Sequence, residues 1–126
     1  MKGILVDTSI WIDYFKGGQS SRDLNVLIDE NLVVINDLIL AELIPYLRMK
    51  RQFTVIKLLQ EISRIPLQIN WDEIIEFQVK CMKVGANGIG IPDLVIAQNA
   101  KENNCNIYSL DRHFRLLKQA MKVNLY

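Results

Sequence analysis

The sequence predicts an α/β fold with a mainly parallel sheet of about five strands. Short apolar runs alternate along the chain with segments whose apolar residues recur at helical spacing. Most of these runs are continuously apolar, which is typical of strands buried on both faces of a parallel sheet. Strands that alternate with helices in this way form α/β structures, because each helix crosses over between parallel strands.

The expected strands are apolar segments bounded by turn residues. They lie at residues 3–6, 32–35, 66–69, 107–110 and 123–125. The first strand runs directly into Asp7, and the fourth runs into Asp111. Acids in these positions follow the carboxyl ends of buried strands, where ligands bind in parallel sheets.

The expected helices fill the intervals between the strands. They cover residues 9–15, a segment capped by Ser20 or Ser21, a segment capped by Asn36 or Asp37, and residues 53–62, 71–84, 92–103 and 112–120. The third helix carries Glu42, and Pro45 within it predicts a kink or a restart. Asn70 is the expected cap of the fifth helix. Residues 85–91 form a loop, and Pro92 suits the first helical position, which places Asp93 in the first turn.

Length and composition indicate one globular domain. The chain has 126 residues, of which 50% are hydrophobic and 23% charged. The apolar runs are too short to span a bilayer and the N-terminus does not resemble a signal peptide, so we expect a cytoplasmic protein without a membrane anchor. Cys81 and Cys105 are expected to be reduced structural thiols.

Four acids have comparable positions in the predicted fold. Asp7 and Asp111 follow strands, whereas Glu42 and Asp93 lie in the first two turns of helices. Strand carboxyl ends and the helix N-termini that follow them share one edge of a parallel sheet. We therefore expect the four carboxylates to converge there. For Asp7 alone, a helix N-cap is the simpler alternative.

Convergent carboxylates indicate a divalent metal site. At about 4 Å, each pair repels by a few kcal/mol at an effective dielectric near 20, and a cation relieves this cost. Oxygen ligands without histidine or cysteine favour Mg²⁺ or Mn²⁺ over zinc. Such an ion can activate water and neutralise a phosphate, but the sequence leaves open whether one or two ions bind.

Hydroxyl and imidazole groups lie beside these acids. Thr8, Ser9 and Ser109 either orient the carboxylates or cap turns, and both interpretations stay open. His113 is the only histidine. A structural role is favoured for it over general-base catalysis.

Basic residues follow two of the acid-bearing segments and are candidates for contacts with a polyanionic substrate. They are Arg48, Lys50, Arg51, Arg112 and Arg115. If four acids are pooled in one site, 15 basic residues face ten acidic residues over the remaining chain. This surplus weakly favours a polyanionic substrate.

The motifs together resemble the PIN-domain family, and within it the VapC-type toxins. The residues that carry the resemblance are Asp7-Thr8-Ser9-Ile10-Trp11-Ile12-Asp13-Tyr14-Phe15, Leu40-Ala41-Glu42-Leu43, Ile91-Pro92-Asp93 with Ile96-Ala97, and Ser109-Leu110-Asp111-Arg112-His113-Phe114. The resemblance covers essentially residues 1–126, as a single PIN-like domain. It departs at Asn36, where many relatives have serine, although asparagine caps helices equally well.

The resemblance implies a three-layer α/β/α fold and a Mg²⁺- or Mn²⁺-dependent endoribonuclease. It assigns Asp7, Glu42, Asp93 and Asp111 to the acidic quartet, as catalytic and metal-binding residues. The positions of Thr8 or Ser9 and of Ser109 match accessory hydroxyls. It also implies a homodimer and a cognate antitoxin protein that binds DNA. The RNA that is cleaved and the identity of the antitoxin stay open.

Three alternatives compete with a nuclease. A phosphoacceptor receiver domain would need paired acids after the first strand and a late lysine, which Asp7 and Ser109-Leu110-Asp111 do not provide. A phosphatase with Asp7 as its nucleophile would need an acid at position 9, where Ser9 stands. A non-catalytic RNA-binding or interaction domain would need none of the acids.

Overall fold

The computed structural model describes residues 3–86 and 88–126, and these residues form five strands and seven helices. The strands are β1 (Ile4–Val6), β2 (Val33–Ile35), β3 (Ser63–Arg64), β4 (Asn106–Tyr108) and β5 (Asn124–Leu125). The helices are α1 (Thr8–Phe15), α2 (Leu24–Asp29), α3 (Asp37–Met49), α4 (Phe53–Glu61), α5 (Trp71–Lys83), α6 (Ile91–Glu102) and α7 (His113–Met121). This order confirms the predicted α/β class.

The sheet has the order β3-β2-β1-β4-β5, and every pairing among the described strands is parallel. The chain leaves the central strand β1 towards β2 and β3, then returns and builds β4 and β5 on the other side. Val6, the last residue of β1, lies opposite Tyr108, the last residue of β4. The strand order therefore reverses between the carboxyl ends of β1 and β4, and such a point is where open α/β sheets bind ligands.

The helices form two layers, one on each face of the sheet. Right-handed crossovers place α1–α4 on one face and α5–α7 on the other, because the chain moves in opposite directions through the two halves. The contacts agree with this, since α3 touches α1 and α4 while α5, α6 and α7 touch one another. Between the layers, Leu5, Ile35 and Leu94 are fully buried. The predicted three-layer α/β/α arrangement is thus confirmed.

Amide residues, most of them buried, connect α6 to its surroundings. We call Asn36, Asn70, Gln98 and Asn99 the amide cluster; Asn36, Gln98 and Asn99 are buried and Asn70 is exposed. Asn36 donates from Nδ2 to Asn99 Oδ1 at 2.8 Å, while its Oδ1 caps α3 by accepting the Ile39 N–H at 2.8 Å. These bonds link the start of α3 to α6, on opposite faces of the sheet.

The remaining hydrogen bonds of Asn99 and Gln98 go mainly to backbone groups. Asn99 Nδ2 donates to the Pro66 carbonyl at 2.8 Å. Gln98 accepts the Asn70 N–H and donates to the Asn70 carbonyl, both at 3.1 Å, and donates to Glu73 Oε1 at 2.8 Å. A buried amide costs free energy unless its donors and acceptors are hydrogen-bonded. These hydrogen bonds therefore hold α6 in one position.

The strand predicted at residues 66–69 is wrong. The third strand is Ser63–Arg64, and it pairs with β2 at the edge of the sheet. Both of its residues are exposed, so it lacks the apolar run that marked the other strands. The pairing ends after the Ile65 N–H, which donates to the Ile35 carbonyl at 2.9 Å.

The fourth strand ends at Tyr108, two residues before the predicted end at 110. The next backbone N–H groups bind side chains rather than a neighbouring strand. Leu110 donates to Ser9 Oγ at 3.0 Å and Asp111 donates to Ser109 Oγ at 2.9 Å. Ser109 and Asp111 therefore lie in a turn, whereas the prediction placed Ser109 within the fourth strand.

The starts of several helices differ from prediction. Neither Ser20 nor Ser21 is the N-cap of α2, which starts at Leu24 after Asp23. The backbone N–H of Ser21 instead donates to Asp13 Oδ2 at 2.9 Å. Helix α6 begins at Ile91, so Pro92 occupies its second position.

Helix α3 continues through Pro45 without the predicted restart. Proline removes one helical hydrogen bond, normally to the carbonyl four residues earlier, here that of Ala41. Ala41 and Pro45 are both exposed, so water can bind that carbonyl. The predicted caps Asn36 and Asn70 are confirmed by their bonds to Ile39 and Glu73.

Gly85 and Gly88, in the predicted loop at 85–91, have positive φ. Asn87 of this loop lies outside the described residues. In the part of the chain that the structure describes, no helix combines the length and apolar character needed to cross a membrane.

Candidate active site

The four predicted acids follow the carboxyl ends of the sheet. Asp7 comes directly after β1, and Asp111 lies in the turn between β4 and α7. Glu42 lies in the second turn of α3, and Asp93 is the third residue of α6. Asp7 and Asp111 thus flank the point where the strand order reverses, while the two helices approach it from opposite faces.

Asp7 is buried and its carboxylate accepts two serine hydroxyls. Ser9 Oγ donates to Oδ2 at 3.0 Å, and Ser109 Oγ donates to the same oxygen at 2.9 Å. Asp7 occupies the N-cap position of α1, yet its side chain makes no capping hydrogen bond. The simple N-cap alternative therefore does not describe this carboxylate.

The two serines connect the first strand to the turn after β4. Each hydroxyl accepts a backbone N–H from this turn and donates to Asp7. The hydroxyls of Ser9 and Ser109 also lie 3.2 Å apart. Thr8 is half-buried at the start of α1, and among the described residues its hydroxyl has no hydrogen-bond partner. Of the three predicted accessory hydroxyls, the structure brings Ser9 and Ser109 to Asp7.

Glu42 and Asp93 are partly buried and lie close to other negatively charged carboxylates. Partial burial raises the pKa of Glu42, and the charges of Asp7 and Asp93 raise it further. Burial also raises the pKa of Asp93, as do the charges of Asp111 and Asp7, while the hydrogen bond and charge of His113 act in the opposite direction. These couplings place all four acids in one electrostatic cluster.

His113, the first residue of α7, lies between two of the acids. Its Nδ1 is 3.1 Å from Asp93 Oδ2 and 3.4 Å from Asp111 Oδ1. Its backbone N–H donates to Asp111 Oδ1 at 2.9 Å. The sequence favoured a structural role for this residue, because nothing in its spacing showed that α6 would carry Asp93 next to it.

The donor chemistry fits a divalent cation. One ligand atom from each of Asp93, Asp111 and His113 lies within 4.8 Å of the other two. Asp7 and Glu42 extend the cluster through the charge couplings described above. Burial and neighbouring negative charges raise the pKa of Glu42 and of Asp93, and a bound cation would compensate this excess of negative charge.

The predicted RNA-contact residues fall into two groups. Arg112 and Arg115 are exposed beside the acids, at the start of α7. Arg48, Lys50 and Arg51 are exposed at the far end of α3. Arg48 lies about 9 Å along the helix from Glu42, and Lys50 and Arg51 follow the last helical residue, Met49.

One cation near the acids was not predicted from the sequence. Arg64, at the end of β3, pairs with Asp37 at 3.2 Å, beside the first turn of α3. A two-residue polar strand gave no signal that this arginine would lie at the same sheet edge as the acids.

Comparison with known proteins identifies the family. The family model described as PIN domain matches residues 4–119. The chain belongs to the PIN domain family. PIN domains are typically nucleases and generally use a divalent metal. The match includes all four acids and both serines.

A solved structure shares the PIN fold of this chain. It is the crystal structure of FitAcB from Neisseria gonorrhoeae, with a TM-score of 0.63 over 98% of this chain and 96% of that chain. The sequences are 18% identical, so this similarity concerns the fold. No curated protein matches this PIN domain.

Proposed function

We propose that this PIN domain is a Mg²⁺- or Mn²⁺-dependent endoribonuclease and the toxin of a VapBC-type toxin–antitoxin pair. One observation carries the proposal: Asp7, Glu42, Asp93 and Asp111 form a single electrostatic cluster where the strand order reverses. Clustered carboxylates favour cation binding, and family membership favours phosphodiester hydrolysis.

The acids and the serines of the proposed site have different roles. The four acids would hold the cation, which when bound neutralises a phosphate and activates water. Ser9 and Ser109 orient the Asp7 carboxylate by donating two hydrogen bonds to Oδ2. The same serines hold the turn that presents Asp111. Metal sites depend on such outer contacts for ligand orientation.

The proposed chemistry is tested with purified protein and single-stranded RNA. We expect cleavage with Mg²⁺ or Mn²⁺, no cleavage in EDTA, and products with a 5′-phosphate and a 3′-hydroxyl. A 2′,3′-cyclic phosphate product would contradict a metal-activated water and would indicate His113 as a base. Full activity in EDTA would contradict the proposal outright.

Arg112 and Arg115 are the proposed phosphate-binding residues, because they flank the acids. Replacing both by alanine should weaken RNA binding and reduce the slope of log affinity against log salt by about 0.7 for each phosphate that the variant no longer neutralises. The matched control replaces Arg48 and Arg51, which are exposed but lie at the far end of α3. If the control changes the slope more than the test pair, RNA runs along α3 instead.

The proposed antitoxin would bind an apolar groove on the α1–α4 layer. The groove has a volume of about 540 Å³. Its apolar lining comprises Trp11, Tyr14, Phe15, Ile28, Val33, Val55, Leu58, Leu59 and Ile62. Leu58 is 58% exposed, which is costly for a large apolar side chain unless a partner covers it. The occupant we propose is an apolar segment of the antitoxin.

The proposed homodimer would use a different face. Trp71, Ile75, Val79 and Met82 are exposed at intervals of four, four and three residues, so they form one apolar stripe on α5. This α5 stripe lies on the opposite layer from the groove. It supports self-association through α5.

Leu58→Glu and Ile75→Glu test the two faces against each other. The two side chains have matched exposures of 58% and 59%. Leu58→Glu should cleave RNA, remain dimeric in sedimentation experiments, and escape inhibition by the proposed antitoxin, which is to be sought as a short reading frame beside the gene for this chain. Ile75→Glu should sediment as a monomer. The reverse pattern would exchange the two assignments.

A further inference from the structure

We call Asp7, Glu42, Asp93 and Asp111 the acid cluster. His113 lies next to two of its carboxylates, at the position that a metal ligand would occupy. It is the only histidine of the chain, and its side chain is 29% exposed. Its Nδ1 faces Asp93 Oδ2 at 3.1 Å and Asp111 Oδ1 at 3.4 Å. Its backbone N–H also binds Asp111, so the start of α7 fixes the ring beside both carboxylates.

The spacing of the three groups matches one coordination sphere. In an octahedral site with bonds of about 2.1 Å, neighbouring ligand atoms are about 3.0 Å apart and opposite ones about 4.2 Å. The two distances from Nδ1 are close to the neighbouring value, and all three ligand atoms lie within 4.8 Å of one another. One ion could therefore lie within reach of Asp93, Asp111 and His113 together.

We propose that His113 binds the metal ion through Nδ1 and shifts the preference of the site from Mg²⁺ towards transition-metal ions. Imidazole suits zinc, iron, nickel and copper, whereas carboxylate and water suit magnesium and manganese. The sequence suggested an all-oxygen site; the structure adds a nitrogen. The inference deepens the proposed function, because it concerns the ion bound at the same acids.

The competing explanation is that His113 only donates a hydrogen bond to the carboxylates. In that case the imidazole partly takes the place of a cation, and an incoming ion displaces it. The two explanations differ in what happens to Nδ1 when metal binds. As a ligand it gains a bond to the ion, and as a hydrogen-bond donor it is released.

The presence of one histidine makes the test specific. Nitrogen NMR of protein labelled with ¹⁵N-histidine reports the imidazole of His113 alone, and Zn²⁺ is a suitable diamagnetic probe. We expect Zn²⁺ to move the Nδ1 resonance to the position of a metal-bound nitrogen. We expect the shift to be absent in Asp93→Asn, where a ligand of the same ion is removed.

Calorimetry provides the second measurement. His113→Asn keeps an oxygen donor near the position of Nδ1, so it should lose roughly tenfold or more in Zn²⁺ affinity while keeping its Mg²⁺ affinity. An Nδ1 resonance that stays that of a free nitrogen while Zn²⁺ binds would overturn the proposal, as would failure of Zn²⁺ to bind. RNA cleavage with Mg²⁺ is measured separately, so failure of this inference and failure of the proposed nuclease are distinguishable.

Discussion

The acid cluster and the amide cluster use polar side chains in opposite ways. In the amide cluster, each hydrogen bond joins a neutral donor to an acceptor within the protein, as in the bond from Asn36 to Asn99. Among the acids, Asp7 has two hydroxyl donors, whereas Glu42 and Asp93 face further negative charge. Both clusters contact α6, about two turns apart.

This difference predicts that the amide cluster contributes mainly to stability and the acid cluster mainly to activity. A buried amide whose bonds are all made within the protein stabilises the fold and is available to no ligand. Carboxylates that repel one another cost stability and keep their affinity for a cation. Disrupting the first cluster should therefore reduce stability, and neutralising the second should reduce activity.

The largest expected effect is that of Asp7→Asn on cleavage. We expect a loss of roughly 10³-fold or more, the scale seen when an electrostatic catalytic group is removed. The metal-free variant should be at least as stable as wild type, because one charge near Glu42 and Asp93 disappears while the side-chain oxygen can still accept from the serines. RNA cleavage and thermal melts measure the two quantities.

Metal response is the control for this variant. Wild type at a Mn²⁺ concentration about 100 times the dissociation constant should gain roughly 2.7 kcal/mol, and the variant much less. Strong destabilisation of the metal-free variant together with an equal response to Mn²⁺ would make Asp7 a structural residue. The contrast between the two clusters would then fail.

Asn99→Ala should have the opposite profile. It leaves Asn36 Nδ2 and the Pro66 carbonyl without partners, so the free energy of unfolding should fall by roughly 2–4 kcal/mol. Cleavage per folded molecule should stay within a few-fold of wild type. Urea denaturation provides the measurement.

Asn103→Ala is the matched control on the same helix. Asn103 donates one bond to the Asn99 carbonyl from a half-buried position, so its loss should cost about 1 kcal/mol or less. If Asn99→Ala instead removes activity at unchanged stability, the amide cluster belongs to the active site.

Ser109→Ala should have an intermediate effect. It should lower metal affinity by loosening the turn that carries Asp111. It removes one donor to Asp7 and leaves the Asp111 N–H without its acceptor. Metal affinity measured by calorimetry should fall roughly 10–100-fold, as for other outer contacts of metal ligands. Ser63→Ala, at an exposed position in β3, should change nothing; equal affinities in both variants would show that Ser109 does not orient the ligands.

The smallest effect concerns pH. The pKa values of Glu42 and Asp93 are raised in the folded protein, so the folded state takes up protons at higher pH than the unfolded state. Without metal, the melting temperature should therefore rise slightly as pH falls from 7 towards the folded-state pKa values, before general acid denaturation. Glu42→Gln should flatten this rise, and an equal rise in both proteins would assign it to other groups.

The sequence predicted most of the fold because its buried strands are continuously apolar. The exception is β3, where Ser63 and Arg64 pair at an exposed edge and leave no hydrophobic signal. The apolar residues just after it drew the prediction to 66–69, which form no strand. The apolar pattern of a sequence reflects which residues are buried. An exposed edge strand has few buried residues, so it leaves little pattern to detect.

The acids were predictable because strand ends and helix starts share one edge of a parallel sheet. The contacts between them were not, because Ser9 and Ser109 meet across a sequence separation of 100 residues, and His113 meets Asp93 across 20. These contacts depend on how α6 and the turn after β4 pack. A local pattern in one sequence does not contain that information.

The position of β1 at the centre of the sheet has a consequence for synthesis. Its two neighbours are β2 and β4, and Ile4 pairs with Val33 on one side but with Asn106 on the other. While the chain emerges from the ribosome, Asp7 is made long before Asp111. A partly made chain lacks the last acid, so the proposed nuclease activity appears only when synthesis is nearly finished and the second half of the sheet has closed against the first.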